Sequence, residues 1–114
     1  MSRDDATLLD ILKACRLAAS FLGGADRAAF RSDPKTQAAV VHELLILGEA
    51  VKRLSPEFTK SVPGIPWTAI AGMRDKLIHH YDAVDLDQVW KAASVDVPRL
   101  LRTLEPLAPT ETRS

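Results

Sequence analysis

Apolar residues recur along this chain at helical spacing almost without interruption. Leu8, Ile11, Leu12, Cys15, Ala18, Ala19 and Leu22 form one stripe, the pattern of a helix that buries a single face. Asp5 or Thr7 is placed to start it, and Gly23-Gly24 to stop it, because glycine takes the left-handed end conformation at no steric cost. Residues 26–31 can add a short turn that includes Phe30. Asp33-Pro34 predicts a second start, with Asp as cap and Pro at the first helical position, where its missing N–H costs nothing.

In this second helix Val40, Leu44, Leu47, Val51 and Leu54 make a seam that Leu45, Ile46 and Ala50 widen. A helix so apolar around its girth is packed on more than one side: inward against its own bundle and outward against a second copy. Ser55-Pro56 ends it, and three prolines with Gly64 mark residues 55–66 as a loop holding at most one short turn. Pro66 opens a further helix through Trp67, Ile70, Met73, Leu77 and Ile78 towards Tyr81. Asp85 with Gln88 three residues on has the form of a capping box. Leu86, Val89, Trp90, Ala93, Val97, Leu100, Leu101 and Leu104 continue the core, and Pro98 should kink this last helix by crowding the carbonyl of Ser94. No run alternates with the period of two that a strand requires. The expectation is an all-α fold, an up-and-down bundle of four main helices, with residues 1–114 as one domain and 106–114 as a frayed tail.

Composition narrows what such a bundle can do. The chain has 114 residues with 15 basic and 15 acidic ones, a formal charge of zero. It therefore lacks the broad positive field that coats nucleic acid unspecifically, and any such contact must be local. One cysteine, Cys15, allows no internal disulfide, which fits a reducing cytoplasm, and its place in the first stripe makes it a buried, inert thiol. No basic segment with a following apolar run suggests a signal peptide, and nothing approaches the ~20 apolar residues of a membrane span.

Phosphate-cradling glycine loops, Cys-x-x-Cys pairs and His-Glu-x-x-His are absent from the sequence, and nothing nominates a Ser/His/Asp triad or a metal site. What concentrates chemistry is Arg74-Asp75-Lys76-Leu77-Ile78-His79-His80-Tyr81, an arginine, two of the chain's three histidines and its one tyrosine in eight residues. Asp75 and His79 are four apart and share a helix face, so they could hydrogen-bond. Arg74 and Tyr81, seven apart, share another. Arg74 and His79 are separated by roughly 140° on an ideal helix, so they flank a groove rather than touch.

This segment resembles the signature of HEPN domains, and more narrowly the Arg-x4-His-x-Tyr form of HepT toxins. Arg74, His79 and Tyr81 fill the fixed positions, His80 the free one, and Asp75 the polar position after the arginine. The stretches LGEAVKRLSPEF, PGIPWTAIAGMRDKLIHHYDAVDLDQVW and VDVPRLL are similar to that family in its usual order, so the likeness covers residues 5–105. It implies a metal-independent endoribonuclease toxin of a type VII-like toxin–antitoxin pair, needing no cofactor. Arg74 and His79 would be its catalytic pair, acting in a cleft at a homodimer interface on RNA. It further implies a partner, an MntA-type nucleotidyltransferase antitoxin, that silences the toxin by transferring AMP to Tyr81.

The chemistry fits those residue types. Without a metal, the ribose 2′-OH is the nucleophile, its proton must be taken and the leaving 5′-oxygen must be protonated. Histidine suits both tasks. A guanidinium holds the charge that builds on the phosphorane oxygens. Asp75 could orient the His79 ring and raise its pKa.

Each of these residues also has a structural reading. Arg74 can be a helix-end arginine paired with Asp75 or Asp82, His79 a satisfied structural histidine, Tyr81 a core-edge tyrosine. His80 reads as a spectator and His42 as a packing or dimer contact. Gly48, costly within a helix at about 1 kcal/mol, implies a second helix packed closely there. Glu49 is then either a buried carboxylate that reaches the arginine or a solvated charge. Trp67 and Trp90 read as core, with base stacking an alternative for Trp90. Two rival functions stay open: a non-catalytic HEPN module that binds nucleotide or assists a nucleotidyltransferase, and a plain dimeric helical scaffold.

Overall fold

A computed structural model describes residues 2–79 and 84–109, and all of their regular structure is helical. Helix α1 spans Arg3–Leu22. It starts earlier than Asp5 or Thr7, because Ser2 and Asp5 form a reciprocal capping box. That box lies ahead of the apolar stripe, where hydrophobic spacing gives no signal. Gly23, at φ 60°, closes the helix as predicted. The short α2 (Arg27–Arg31) is capped by Asp26 and buries Phe30.

Helix α3 (Pro34–Lys52) begins at the Asp33-Pro34 pair, whose carboxylate accepts from the Thr36 N–H. The proline-rich connection carries one short helix, α4 (Pro56–Ser61), and leads into α5 (Trp67–His79). Trp67 fastens the start of α5. Its indole N–H faces the carbonyls of Thr59 and Val62 at 3.2 and 3.1 Å, and its ring meets Phe58 edge-on.

The C-terminal rod consists of α6 (Leu86–Lys91), a π-helical turn (Ala92–Asp96) and α7 (Val97–Leu104), followed by a 3₁₀ turn (Glu105–Leu107). Asp85 caps α6 by accepting from the N–H groups of Asp87 and Gln88. The disturbance expected at Pro98 takes the form of the π turn: the Val97 N–H reaches back to Ala92, one residue further than in an α-helix. Widening the turn just before the proline relieves its clash with the preceding carbonyls. Residues 110–114 of the expected tail lie outside the described residues.

One apolar cluster unites these helices, with Leu8, Ile11, Leu12, Phe30, Val40, Leu44, Val97 and Leu104 completely enclosed. Cys15 is among them, and burial pushes its thiol pKa up to about 12. Helix α1 packs on both α3 and α7, whereas α5 packs on α3. Only Leu77 of α5 is fully buried. The helix that carries the chemical segment is therefore an outer one, with every residue but Leu77 at least partly exposed. Trp90 acts as a clamp: its indole N–H donates to the Ala25 carbonyl at 2.9 Å and one ring face is covered by the Arg27 guanidinium. That cover takes a face that base stacking would need. No helix among the described residues is long and apolar enough to cross a membrane.

Candidate active site

The site begins at a missing side chain. A Cβ built on Gly48 would stand 2.3 Å from the Arg74 Cβ and 3.3 Å from the Ile70 carbonyl oxygen. No real carbon could occupy that point. Glycine in mid-helix is thus what lets α5 lie directly on α3, and it sets Arg74 against the backbone of the neighbouring helix. The close approach read from Gly48 in the sequence is the one found.

Lying across α3 in this way, the arginine is trapped between two carboxylates. Its Nε is 3.1 Å from Glu49 Oε2, and its NH1 donates to Asp75 Oδ1 at 3.0 Å. Glu49 therefore reaches the arginine without being buried, its side chain about half exposed at 51%. The Arg74 side chain is 31% exposed. A guanidinium carries five N–H donors in a fixed fork, so these two contacts leave an open edge for an anion. Pairing with Asp75, the structural reading of Arg74, occurs, but the second partner on α3 converts a surface pair into a fixed orientation.

Asp75 does not serve His79. The carboxylate turns to the facing helix, where Lys52 Nζ donates to the same Oδ1 at 2.8 Å. No hydrogen bond joins Asp75 to His79, so Asp75 does not orient that ring. The physical reason is charge: two cations within contact distance outbid an imidazole one turn away. Lys52, and then Arg74, hold the Asp75 carboxyl below its ordinary value.

His79 is the last residue of α5 and is exposed. Arg74 and His79 thus stand on one helix, both reaching solvent and neither sealed in a separate pocket. His80, Tyr81 and Asp82 lie outside the described residues. His42 is exposed on α3, its Nε2 3.9 Å from the buried Glu43. Among the described residues no group of three or more His, Cys, Asp or Glu could hold a metal ion.

One feature went unread in the sequence: Lys52 was not singled out, although it follows Gly48 by four residues and so shares the face that meets α5. The sequence placed Ile46 on the outward apolar side of α3, and the structure exposes it together with Ile78. Ile46 on α3 is 40% exposed, three residues before Glu49, and Ile78 on α5 is 44% exposed, four residues after Arg74. A separate groove of about 330 Å³ runs between α5 and the C-terminal rod, floored by Leu44, Leu47, Ile70 and Leu100. Neither Arg74 nor His79 lines it.

Comparison with known proteins shows the family. The family model described as "Ribonuclease HepT-like" matches residues 11–107. A protein of Thermococcus cleftensis named "Probable ribonuclease HepT" is 42% identical over 100 residues, covering 88% of this chain and 91% of that one. A protein of Methanocaldococcus jannaschii, whose name also reads RNase, is 37% identical over 100 residues, covering 88% of this chain and 83% of its own. One from Caldanaerobacter subterraneus subsp. tengcongensis, likewise with RNase in its name, is 37% identical over 101 residues, covering 89% and 90%. No solved structure gives a significant match. A helical bundle with an arginine locked at its seam, a histidine at the end of the same helix and a family match across nearly its whole length belongs to the HepT-like ribonuclease family of HEPN domains.

Proposed function

We propose that this chain is a metal-independent endoribonuclease and that Arg74 and His79 carry its chemistry. The observation that supports it most is the Arg74 guanidinium, held partly exposed at the α3–α5 seam by Glu49 and Asp75, with His79 exposed at the end of the same helix. In the reaction, the ribose 2′-oxygen attacks the adjacent phosphorus as a base removes its proton. Arg74 balances the negative charge that collects on the phosphorane oxygens. An acid then protonates the departing 5′-oxygen, leaving a 2′,3′-cyclic phosphate and a free 5′-hydroxyl. Histidine can fill either role at neutral pH.

One chain supplies one such histidine, so the reading includes a two-fold homodimer in which two copies face one cleft. Ile46 on α3 and Ile78 on α5, both exposed on the helices that carry the Arg74–Glu49 pair, favour burial of apolar surface there against a second copy. The protein would act in the cytoplasm as the toxin of a toxin–antitoxin pair. Its antitoxin would be a nucleotidyltransferase of the MntA type, joining the Tyr81 phenol oxygen to the α-phosphorus of ATP and expelling pyrophosphate. The attached AMP would bring negative charge to the place meant for substrate phosphate.

The test is cleavage of an RNA oligonucleotide in a chelating buffer by the wild type, Arg74→Ala and His79→Ala, each sized in solution. Cleavage by a wild-type dimer and loss in both variants is the expected result. An inert wild-type protein that still binds nucleotide would favour the non-catalytic HEPN reading instead, and an active monomer would remove the shared cleft.

A further inference from the structure

We propose that Lys52 is a positioning residue for Arg74, acting through Asp75; the inference rests on the ribonuclease reading and extends it to the α3 face. Arg74 and Asp75 are sequence neighbours on one helix, and adjacent helical residues do not face each other. Their side chains nevertheless meet, NH1 to Oδ1 at 3.0 Å. Something must draw the Asp75 carboxylate sideways towards the α3 seam. Lys52 is placed to do so, its Nζ donating to that same Oδ1 at 2.8 Å from the last residue of α3.

The four groups form an alternating chain of charge: Glu49 on Arg74, Arg74 on Asp75, Asp75 on Lys52. It sums to zero, two cations against two carboxylates, and both outer members come from α3. The guanidinium is held at two different nitrogens, by an ion-pair contact to Glu49 at Nε and a hydrogen bond to Asp75 at NH1, which together restrict its orientation. Without Lys52 the Asp75 carboxylate is free to swing into water. Arg74 then keeps a single anchor at Nε, and its open edge no longer points in one direction. The cost falls on the transition state, whose charge the fork must meet in place, rather than on initial binding.

The test is a double-mutant cycle on cleavage by the full chain, using Lys52→Met, Asp75→Asn, the two combined, and Lys52→Arg. Lys52→Met is expected to lower kcat about tenfold with KM changed by less than about twofold. Lys52→Arg restores most of the rate. The combined variant should be no slower than Asp75→Asn alone, since both remove the same anchor. Multiplied losses in the combined variant would show Lys52 meeting substrate by itself and would overturn the proposal. Melting temperatures should stay together, because half-exposed ion pairs add little stability.

A second readout does not depend on cleavage. The Arg74 Nε–H resonance, identified by its loss in Arg74→Lys, should move by the same amount and in the same direction in Lys52→Met and Asp75→Asn. An unmoved resonance in Lys52→Met sinks the inference even if the wild type proves inert on RNA. An inert wild type with a moved resonance sinks only the ribonuclease reading.

Discussion

Gly48 and Arg74 are packed so tightly that a single methyl group on the glycine would overlap the arginine, Cβ to Cβ at 2.3 Å. The consequence is that a backbone position on α3 decides where the Arg74 side chain on α5 can lie. Gly48→Ala brings two opposed effects. It raises helix propensity by about 1 kcal/mol and overpacks the seam at a cost of about 1–3 kcal/mol. We expect overpacking to win, since the clashing atoms belong to Cβ and to the Ile70 backbone, which cannot rotate away. Thermal unfolding should show a melting temperature lower by several degrees, with cleavage reduced further than stability explains. A higher melting temperature would mean that the helices separate without strain.

Arg74→Lys keeps the charge but loses the fork. An ammonium can pair with Glu49 or Asp75, but it cannot hold both and also present two parallel donors to a phosphoryl group. Turnover of RNA should fall by about a hundredfold. The protein should fold as before, because the site is half-exposed. Rates at saturating substrate check this, and a lysine variant within a few-fold of wild type would reduce Arg74 to a point charge.

Tyr81→Phe separates cleavage from silencing. It removes the phenol oxygen to which AMP would be joined and leaves Arg74 and His79 in place. The variant should cut RNA at the wild-type rate and gain no mass when incubated with an MntA-type nucleotidyltransferase and ATP, while the wild type should gain AMP and lose activity. Silencing of the phenylalanine variant would place the modification elsewhere.

Acid stability should report a contact outside the charge network of Arg74. The Ser55 hydroxyl and N–H both donate to Asp4, tying the start of α1 to the turn after α3 and lowering the Asp4 pKa from its ordinary 3.8. A carboxylate depressed in the folded state stabilises it above the unfolded value, and that contribution disappears as pH falls through the folded value. Asp75, lowered by Lys52 and Arg74, follows the same sign. Denaturant melts of wild type and Asp4→Asn should therefore differ by a constant amount from pH 7 down to about 5, and draw together only as pH falls below that. Convergence at a higher pH would mean that the carboxylate is not held in this way.

The helix pattern was legible because apolar spacing, Gly23, Asp33-Pro34 and Asp85 each act locally. The Ser2 capping box was hidden, since it precedes any apolar residue, and the π turn before Pro98 was read only as a kink. At the site, Gly48 announced the close approach, for glycine in an apolar helix interior has few other uses; Glu49 was left open between a buried partner of the arginine and a solvated charge, and it reaches Arg74 while staying exposed. The role of Asp75 was misread. Spacing along one helix offered His79 as its partner, whereas the deciding cation, Lys52, comes from the facing helix, one turn beyond Gly48. Sequence periodicity finds faces; which charges meet across them is settled by packing.

The most direct test of the central claim uses a DNA strand with one ribonucleotide, incubated with the protein in a chelating buffer. If Arg74 and His79 act on a phosphodiester through the 2′-hydroxyl, cutting occurs only beside the ribonucleotide, yields a 5′-hydroxyl end, and vanishes in His79→Ala. Cutting of an all-deoxy strand, or an undiminished rate in His79→Ala, would contradict the account.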